Sequence, residues 1–316
     1  MTQRRPTRRE HPVRGAPGAR VAAQAKINLF LRILARESSG YHQLETLFAR
    51  IELADEVSVR VRENGRSLDV VGPAIPAAGL GPVESNLAWR AAVLYQEAAG
   101  WPGGFEIAIA KTIPVGGGLG GGSADAGAVL RALNALNPDP LPQHRLFALS
   151  SALGADVPFL AAEAPLALAW GRGERMMAFP ALPARAVALL IPRFGVATAD
   201  AFRWLAEARP ERETTPPQPR MLFPQQLTSW GGVERLVAND FEPVVGARHP
   251  VVASAHEALS RLSAAAARMT GSGSTVFGLF DASPNDADVA ALADESGCAV
   301  VMTRTAERVV AVERGG

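Results

Sequence analysis

A dense run of glycines is the part of this sequence that most directly indicates chemistry. Six of the seven residues from Gly116 to Gly122 are glycine, within the stretch PVGGGLGGGSADAG at residues 114–127. Glycine loses more conformational freedom on folding than any other residue, so such a run is favoured where the backbone itself must approach a ligand. A flexible surface linker is the alternative. This run, however, lies between a predicted strand and a predicted helix, where linkers are rare.

The run differs from two common phosphate-binding motifs. A P-loop requires Lys and then Ser or Thr after its last glycine, whereas Gly122 is followed directly by Ser123. The dinucleotide fingerprint G-x-G-x-x-G is matched from Gly116 to Gly121. The acid expected about 20 residues later would be Asp139, which lies inside a turn-like Asn-Pro-Asp-Pro stretch. The sequence therefore excludes a P-loop and disfavours a Rossmann site.

The glycines lead into a predicted helix with one apolar face. Ser123 is expected to cap its start, and Asn137 followed by Pro138 to end it. The buried face is formed by Ala126, Val129, Leu130, Leu133 and Leu136. Free N–H groups and the positive end of the helix dipole bind phosphate at such an N-terminus. The sequence therefore predicts an anion site here without identifying the anion.

Polar side chains with possible chemical roles occur at two other places. In a predicted strand at 25–31, only Lys26 and Asn28 are polar, and the two-residue period of a strand puts both on one face. A second predicted helix covers residues 143–153. Asp156 follows it and is expected on a tight connection beyond the helix end.

The residues around Asp156 indicate how that connection is shaped. Gly154 is expected to stop the helix, and Pro158 to bias Val157 towards extended geometry. A carboxylate held on a tight turn is therefore predicted, with an ordinary turn aspartate as the alternative.

The remaining pattern predicts a mixed α+β chain in two domains. Further helices are predicted from Leu87 to Gly100, at 250–267 and at 285–296, and further strands at 57–61, 105–109, 276–280, 298–303 and 307–313. We expect a tail at 1–20, an N-terminal domain at 21–172 and a C-terminal domain at 173–316.

Composition restricts the class of protein. The 316 residues are 48% hydrophobic and 20% charged, which is typical of globular proteins. The single cysteine, Cys298, excludes disulfides within the chain and favours a reducing compartment. The five histidines lack metal-ligand spacing, and neither a membrane-spanning run nor a signal-peptide core is found. These features predict a cytoplasmic protein with no membrane partner.

The N-terminus is basic. Residues 1–20 hold six arginines and one acid, so with a total net charge of +1 the rest of the chain carries −4. Such a body offers no broad basic face, and we expect no nucleic-acid partner unless the tail supplies one. The tail is rich in proline and is expected to be disordered. An organellar transit peptide is the alternative.

Five motifs together resemble the GHMP kinase superfamily. They are Ala25–Leu29, Gly40-Tyr41-His42 with Leu47, Phe48 and Asp55, then Pro114–Ala124, Leu153–Pro158 and Thr270–Gly273. The resemblance implies an N-terminal domain like the second domain of ribosomal protein S5, a ferredoxin-like C-terminal domain and an active site between them. The first and fourth motifs are most similar to the branch whose acceptor is a cytidine diphosphate-linked methylerythritol.

The resemblance implies that Lys26 and Asp156 are catalytic. Phosphoryl transfer needs positioning, charge stabilisation and a carboxylate to accept the hydroxyl proton, and a nearby ammonium keeps that carboxylate ionised. A snorkelling lysine is the alternative for Lys26. Asn28, Tyr41, His42 and Phe194 are implied to bind the acceptor, the last three around the cytosine, with a buried structural role as the alternative for Asn28.

The resemblance also implies ATP and Mg²⁺ as cofactors. The residues implied to bind ATP are Asn86, Lys111, Pro114, Val115, Gly116, Gly117, Gly118, Leu119, Gly120, Gly121, Gly122, Ser123 and Ala124. No dedicated metal ligands are expected, because Mg²⁺ relies largely on phosphate oxygens and water, with Ser123 as a possible protein contact. The Gly271-Ser272-Gly273 turn is expected to approach the same site from the other domain.

Two departures from the family pattern and two alternatives remain. Ser39 replaces a common aspartate, and Gly127 stands where alanine is usual, at a cost of roughly 1 kcal/mol to the helix. Another GHMP kinase, acting on homoserine, mevalonate or a sugar, is one alternative. A non-catalytic nucleotide-binding member is the other. A monomer or weak homodimer is expected.

Overall fold

The computed structural model describes residues 17–36, 42–209 and 221–315. Tyr41, Ser39 and residues 1–16 of the predicted tail lie outside these ranges. Within them, two sheets and their helices form the predicted α+β architecture.

The first sheet has eight strands and is mainly antiparallel. Its strands are β1 Gly18–Arg36, β2 His42–Arg62, β3 Arg66–Val71, β4 Gly104–Ala110, β5 Leu166–Gly171, β6 Arg175–Phe179, β8 Ala238–Asn239 and β12 Glu313–Gly315. The central order is β12-β1-β2-β4-β3, with β5 paired to β2, β6 to β5 and β8 to β1. In the long β1–β2 pair, Lys26 stands directly opposite Arg50.

The second sheet has four antiparallel strands in the order β11-β7-β10-β9. They are β7 Ala186–Ile191, β9 Ala266–Met269, β10 Val276–Phe280 and β11 Ala299–Arg304. The buried apolar side chains form two cores, and the second sheet contributes to both: Val187 and Leu189 belong to the first, whereas Ala188 and Leu190 belong to the second. Leu31 and Ile33 at the far end of β1 belong to the second core, whereas Ile27 and Leu29 belong to the first. Strand β1 therefore joins the two halves of the molecule.

Nine α-helices cover the sheets in the described part of the chain. They are α1 Leu87–Ala99, α2 Gly121–Leu136, α3 Gln143–Leu153, α4 Val157–Ala161, α5 Thr198–Ala208, α6 Trp230–Glu234, α7 Glu242–Gly246, α8 Pro250–Arg261 and α9 Asp286–Ser296. In that part, no helix has the length and apolar character needed to cross a bilayer.

The first sheet takes strands from both sides of the predicted boundary at residue 172. The first sheet continues beyond residue 172 through β6, and β8 and β12 return to it from later in the sequence. Residues 18–20, which were expected in the tail, form the start of β1 and pair with β12. Long-range pairing of this kind leaves no mark in local composition.

Two elements have different bounds in the structure from those predicted from the sequence. The helix expected at 250–267 ends at Arg261, because Ser263 adopts a left-handed φ of 55° and residues 266–269 pair with β10 instead. Of the strand expected at 307–313, only the last residue is in a strand.

Two residues near the predicted site also differ from expectation. Helix α2 begins at Gly121 with Gly120 as its N-cap, so Ser123 lies in the first turn instead of capping it. Val157 is helical, because Pro158 occupies the second position of α4, where its missing N–H has no helical partner in any case.

Candidate active site

A cleft of about 490 Å³ lies where the two sheets meet, and it receives side chains from both halves. Lys26, Asn28 and Phe48 come from the first sheet, whereas Phe202 and Phe241 come from the second half. The whole glycine run from Gly116 to Gly122 lines the cleft. The structure therefore brings together most of the residues that the sequence singled out.

The glycine run is a fixed loop. Leu119 O accepts a hydrogen bond from Lys26 N (3.1 Å), and Gly117 O accepts one from Thr275 N (3.2 Å), so the loop is tied to both halves. Gly116, Gly118 and Gly120 all have left-handed φ angles, between 72° and 79°. This conformation favours glycine, which excludes the linker interpretation.

The loop delivers unpaired N–H groups to the cleft. The first hydrogen bond of α2 runs from Ala124 N to Gly120 O (2.8 Å). The N–H groups of Gly121, Gly122 and Ser123 therefore have no partner within the helix, and all three residues line the cleft. An anion placed there would meet these donors and the positive end of a 16-residue helix.

Lys26 and Asp156 form an ion pair in the same cleft. Lys26 Nζ lies 3.4 Å from Asp156 Oδ2. Lys26 is almost completely buried, whereas about a third of the Asp156 side chain is exposed. Asp156 occupies the N-cap position of α4. The carboxylate can therefore meet a ligand while the ammonium behind it stays fixed.

Asn28 connects this pair to the opposite wall. Lys26 Nζ donates to Asn28 Oδ1 (2.6 Å), and Gly271 N donates to the same oxygen (3.0 Å). Asn28 Nδ2 donates to Thr46 Oγ1 (2.8 Å). Asn28 is thus buried and orients Lys26, which is the alternative role considered for it, although it also lines the cleft.

The Gly271 turn is positioned by residues that the sequence did not identify. Asn239 Nδ2 donates to Met269 O (2.6 Å) and Gly271 O (2.9 Å). Asn28 N donates to Thr270 Oγ1 (3.0 Å). Thr46 and Asn239 carry no local motif, and only long-range strand pairing brings them here.

Phe202 and Phe241 line the end of the cleft nearest α5, whereas His42 lies behind Phe202 and is not itself a lining residue. His42 stacks on Phe202 with ring centroids 4.4 Å apart, and Phe202 meets Phe241 edge-on at 4.9 Å. Phe194 does not line the cleft, because its ring stacks on His249 at 4.3 Å. The aromatic residues of the second half that line the cleft are thus Phe202 and Phe241, neither of which was predicted from the sequence.

Comparison with known proteins identifies the family to which this chain belongs. Models of the GHMP kinases N terminal domain and the GHMP kinases C terminal match residues 86–163 and 225–297. The 4-diphosphocytidyl-2-C-methyl-D-erythritol kinase of Heliobacterium modesticaldum is 37% identical over 93% of this chain and 98% of its own length. That of Citrifermentans bemidjiense is 37% identical over 82% of this chain and 88% of its own. This chain belongs to the 4-diphosphocytidyl-2-C-methyl-D-erythritol kinase family.

Solved structures agree with this assignment. A crystal structure of 4-(cytidine 5'-diphospho)-2C-methyl-D-erythritol kinase has a TM-score of 0.72 and 34% identity, covering 91% of this chain and 99% of that one. The homoserine kinase of Cytophaga hutchinsonii has a TM-score of 0.62 at 18% identity, with coverage of 94% and 97%, and shows the fold alone. The two-domain GHMP kinase fold predicted from the sequence is confirmed.

In this kinase, Lys111 is held by two buried carboxylates. Its Nζ lies 2.5 Å from Asp55 Oδ2 and 2.7 Å from Asp125 Oδ2. Asp55 Oδ1 also accepts a hydrogen bond from Ile113 N (2.8 Å). The Lys111 ammonium therefore supports the base of the glycine loop, although the residue also lines the cleft.

Asp125 is the member of this cluster that the sequence analysis missed, although it belongs to the quoted glycine motif. Burial raises the pKa of Asp125 to about 7, the Lys111 ammonium opposes this shift, and the Asp55 charge adds to it. Nearby, Asn86 Oδ1 caps α1 by accepting from Ala88 N (2.9 Å) and lines the cleft.

Proposed function

We propose that this kinase transfers the γ-phosphoryl group of ATP to the 2-hydroxyl of 4-diphosphocytidyl-2-C-methyl-D-erythritol. The observation that carries the proposal is the Lys26–Asp156 ion pair, in one cleft with the free N–H groups at the start of α2. The family membership supports the identity of the acceptor.

The nucleotide end of the cleft suits a triphosphate. Gly121, Gly122 and Ser123 offer backbone donors, and the absence of side chains at 116–118 leaves room for oxygens to approach. Asn86 and Lys111 lie at the same end of the loop and are proposed to lie near the nucleoside.

Mg²⁺ is proposed to accompany ATP. This ion is usually held by phosphate oxygens, water and one or two protein oxygens. The described residues contain no group of three or more His, Cys, Asp or Glu that would form a protein metal site. Ser123, in the first turn of α2 and lining the cleft, offers the hydroxyl oxygen that fits this role. Bound there, Mg²⁺ would neutralise phosphate charge.

The ion pair is proposed to carry the proton transfer. Asp156 takes the proton of the acceptor hydroxyl as its oxygen bonds to the γ-phosphorus, and the bond from that phosphorus to the β-phosphate oxygen breaks to release ADP. Lys26, 3.4 Å away, stabilises the negative charge that develops on the acceptor oxygen.

The aromatic end is proposed to hold the cytosine. Phe202 is proposed to contact the flat face of the base, and the imidazole of His42, which stacks on the Phe202 ring, is proposed to hydrogen-bond it. Tyr41 precedes His42 in the chain and remains a proposed contact from the sequence.

The test is direct. The purified protein is incubated with ATP, Mg²⁺ and one of four acceptors: the cytidine substrate, homoserine, mevalonate or galactose. Mass spectrometry is expected to detect a monophosphorylated product only with the cytidine substrate. Comparable turnover of an acceptor that lacks cytidine would contradict the proposed substrate, and ATP binding without turnover of any acceptor would contradict the proposed activity.

A further inference from the structure

A buried arginine without an acidic partner lies close to the proposed catalytic pair. Arg50 in β2 is only 1% exposed, and among the described residues no carboxylate pairs with its guanidinium. Burial lowers its pKa to about 9, with the Arg131 charge adding to the effect. A buried, unpaired charge is expensive unless its hydrogen bonds are satisfied.

Backbone carbonyl oxygens accept the hydrogen bonds that this arginine donates. Its Nη2 donates to Phe159 O (2.9 Å), Leu160 O (3.0 Å) and Ala162 O (2.8 Å), and its Nε donates to Ala164 O (3.1 Å). These oxygens belong to the end of α4 and the chain that leaves it. The last carbonyls of a helix have no partner within the helix and carry its negative dipole end, so a cation is favoured there.

Helix α4 connects Arg50 to Asp156. The helix has five residues, too few to be stable by itself, and Asp156 occupies its N-cap. Leu160 N donates to Asp156 O (3.2 Å), so the position of the carbonyl end sets the position of Asp156. Arg50 therefore fixes the C-terminal end of α4 by hydrogen bonds, and the N-terminal end of the same short helix carries Asp156, the proposed base.

The same pair of strands also positions Lys26. Lys26 and Arg50 are direct partners in β1 and β2, and directly opposite residues of an antiparallel pair lie on the same face. Phe48 and Phe159 stack between them at 5.0 Å, with Lys26 Nζ 5.6 Å from the first ring and the Arg50 guanidinium 5.1 Å from the second. One strand pair thus fixes the ammonium and clamps the helix that bears the carboxylate.

We propose that Arg50 is a positioning residue for phosphoryl transfer, holding α4 so that Asp156 stays within reach of Lys26 and the acceptor hydroxyl. The inference rests on the proposed function. A shift of about 1 Å at a catalytic group can reduce the rate about 100-fold. Loss of the hydrogen bonds from Arg50 to α4 is therefore expected to have a measurable effect on kcat.

The experiment is a double-mutant cycle between Arg50→Met and Asp156→Asn. In the wild-type background, Arg50→Met is expected to lower kcat about 10- to 100-fold while the KM for ATP changes less than about threefold. In the Asp156→Asn background, followed over long incubations, Arg50→Met is expected to cause less than about a threefold further loss, because the group it positions is already inactive. Arg50→Lys is expected to recover part of kcat, since an ammonium can donate to some of the carbonyls.

Arg131→Met is the matched control. Arg131 is another buried arginine, whose charge acts on Arg50 but whose Nη2 donates to a backbone carbonyl outside α4, that of Val310. Its removal is expected to lower thermal stability and to leave kcat of the folded enzyme within about threefold.

Several outcomes overturn the inference. Equal loss of kcat from Arg50→Met in both backgrounds, or no loss in either, would do so. If Arg50→Met does not fold, Arg50→Lys replaces it in the cycle: its smaller loss of kcat is expected to disappear in the Asp156→Asn background, and an equal loss in both backgrounds would overturn the inference. Absence of turnover by the wild-type protein would overturn the proposed function and this inference together, whereas turnover with additive effects would overturn only the role of Arg50.

Discussion

The backbone carbonyl of Thr270 occupies the space that a side chain at residue 118 would need. A Cβ atom placed on Gly118 would lie 2.2 Å from Thr270 O, closer than any real contact of this kind. Gly118 belongs to the glycine loop, and Thr270 precedes the turn from the other half of the molecule. The density of glycine in this loop therefore reflects packing between the two halves as well as room for a ligand.

Gly118→Ala is predicted to weaken ATP binding strongly. The new methyl group must push the loop away from Thr270, which moves the donors that face the phosphates, so the KM for ATP is expected to rise at least about tenfold. Gly100→Ala is the control, because Gly100 also has a left-handed φ (64°) but no atom lies within 4 Å of an added Cβ. That change is expected to cost only about 1–2 kcal/mol of stability. Equal KM values for ATP in the two variants would contradict the prediction.

Gly127→Ala is predicted to destabilise the protein, although helix propensity favours alanine by about 1 kcal/mol. A Cβ at residue 127 would lie 2.6 Å from the carbonyl group of Leu160 in α4. Such overpacking typically costs about 1–3 kcal/mol, which outweighs the gain in propensity. Urea unfolding measures the difference, and a more stable alanine variant would show that the close approach of α2 and α4 is unimportant.

Substitution can distinguish Phe202 from Phe194 as the aromatic residue that binds the cytosine. Phe202→Leu is predicted to raise the KM for the cytidine substrate about tenfold, because the stacking surface beside His42 is lost, with little change in the KM for ATP. Phe194→Leu is expected to leave both values nearly unchanged, since its ring stacks on His249 outside the cleft. A larger effect from Phe194→Leu would restore the role that the sequence analysis gave it.

Stability is predicted to depend on pH through Asp125. The folded pKa of about 7 lies above the ordinary value of 3.8, so folding takes up a proton between these values and stability falls as pH rises from about 4 to 7. Asp125→Asn is expected to reduce this slope in urea unfolding at several pH values. Asp139→Asn, a change at an exposed carboxylate, is expected to retain it. An identical slope in the Asp125→Asn variant and the wild type would show that another group causes the pH dependence.

The sequence predicted the local elements of the site well. The alternation around Lys26, the helix that ends at Leu153 and the glycine run before α2 all follow from patterns that a few neighbouring residues create. The identity of the residues after the last glycine also distinguished this loop from a P-loop, because the P-loop motif is defined by adjacent residues.

The residues that join these elements were not predicted. Arg50, Asn239 and Thr46 act through partners far away in the chain, and strand register decides which side chains meet. Phe194 was predicted and Phe202 was not considered, because nothing in the local pattern showed which ring turns towards the cleft. The return of β12 to β1 from the opposite end of the sequence was not predicted for the same reason, whereas the division at residue 172 stays a prediction.

The central claim is that the Asp156 carboxylate, held beside Lys26, accepts the proton of the acceptor hydroxyl. The most direct measurement is kcat of Asp156→Asn with ATP, Mg²⁺ and the cytidine substrate, because this change keeps the shape of the side chain and removes its charge. We predict that kcat falls about 10²- to 10⁴-fold while the KM for ATP stays within about threefold. A kcat close to that of the wild type would contradict the account.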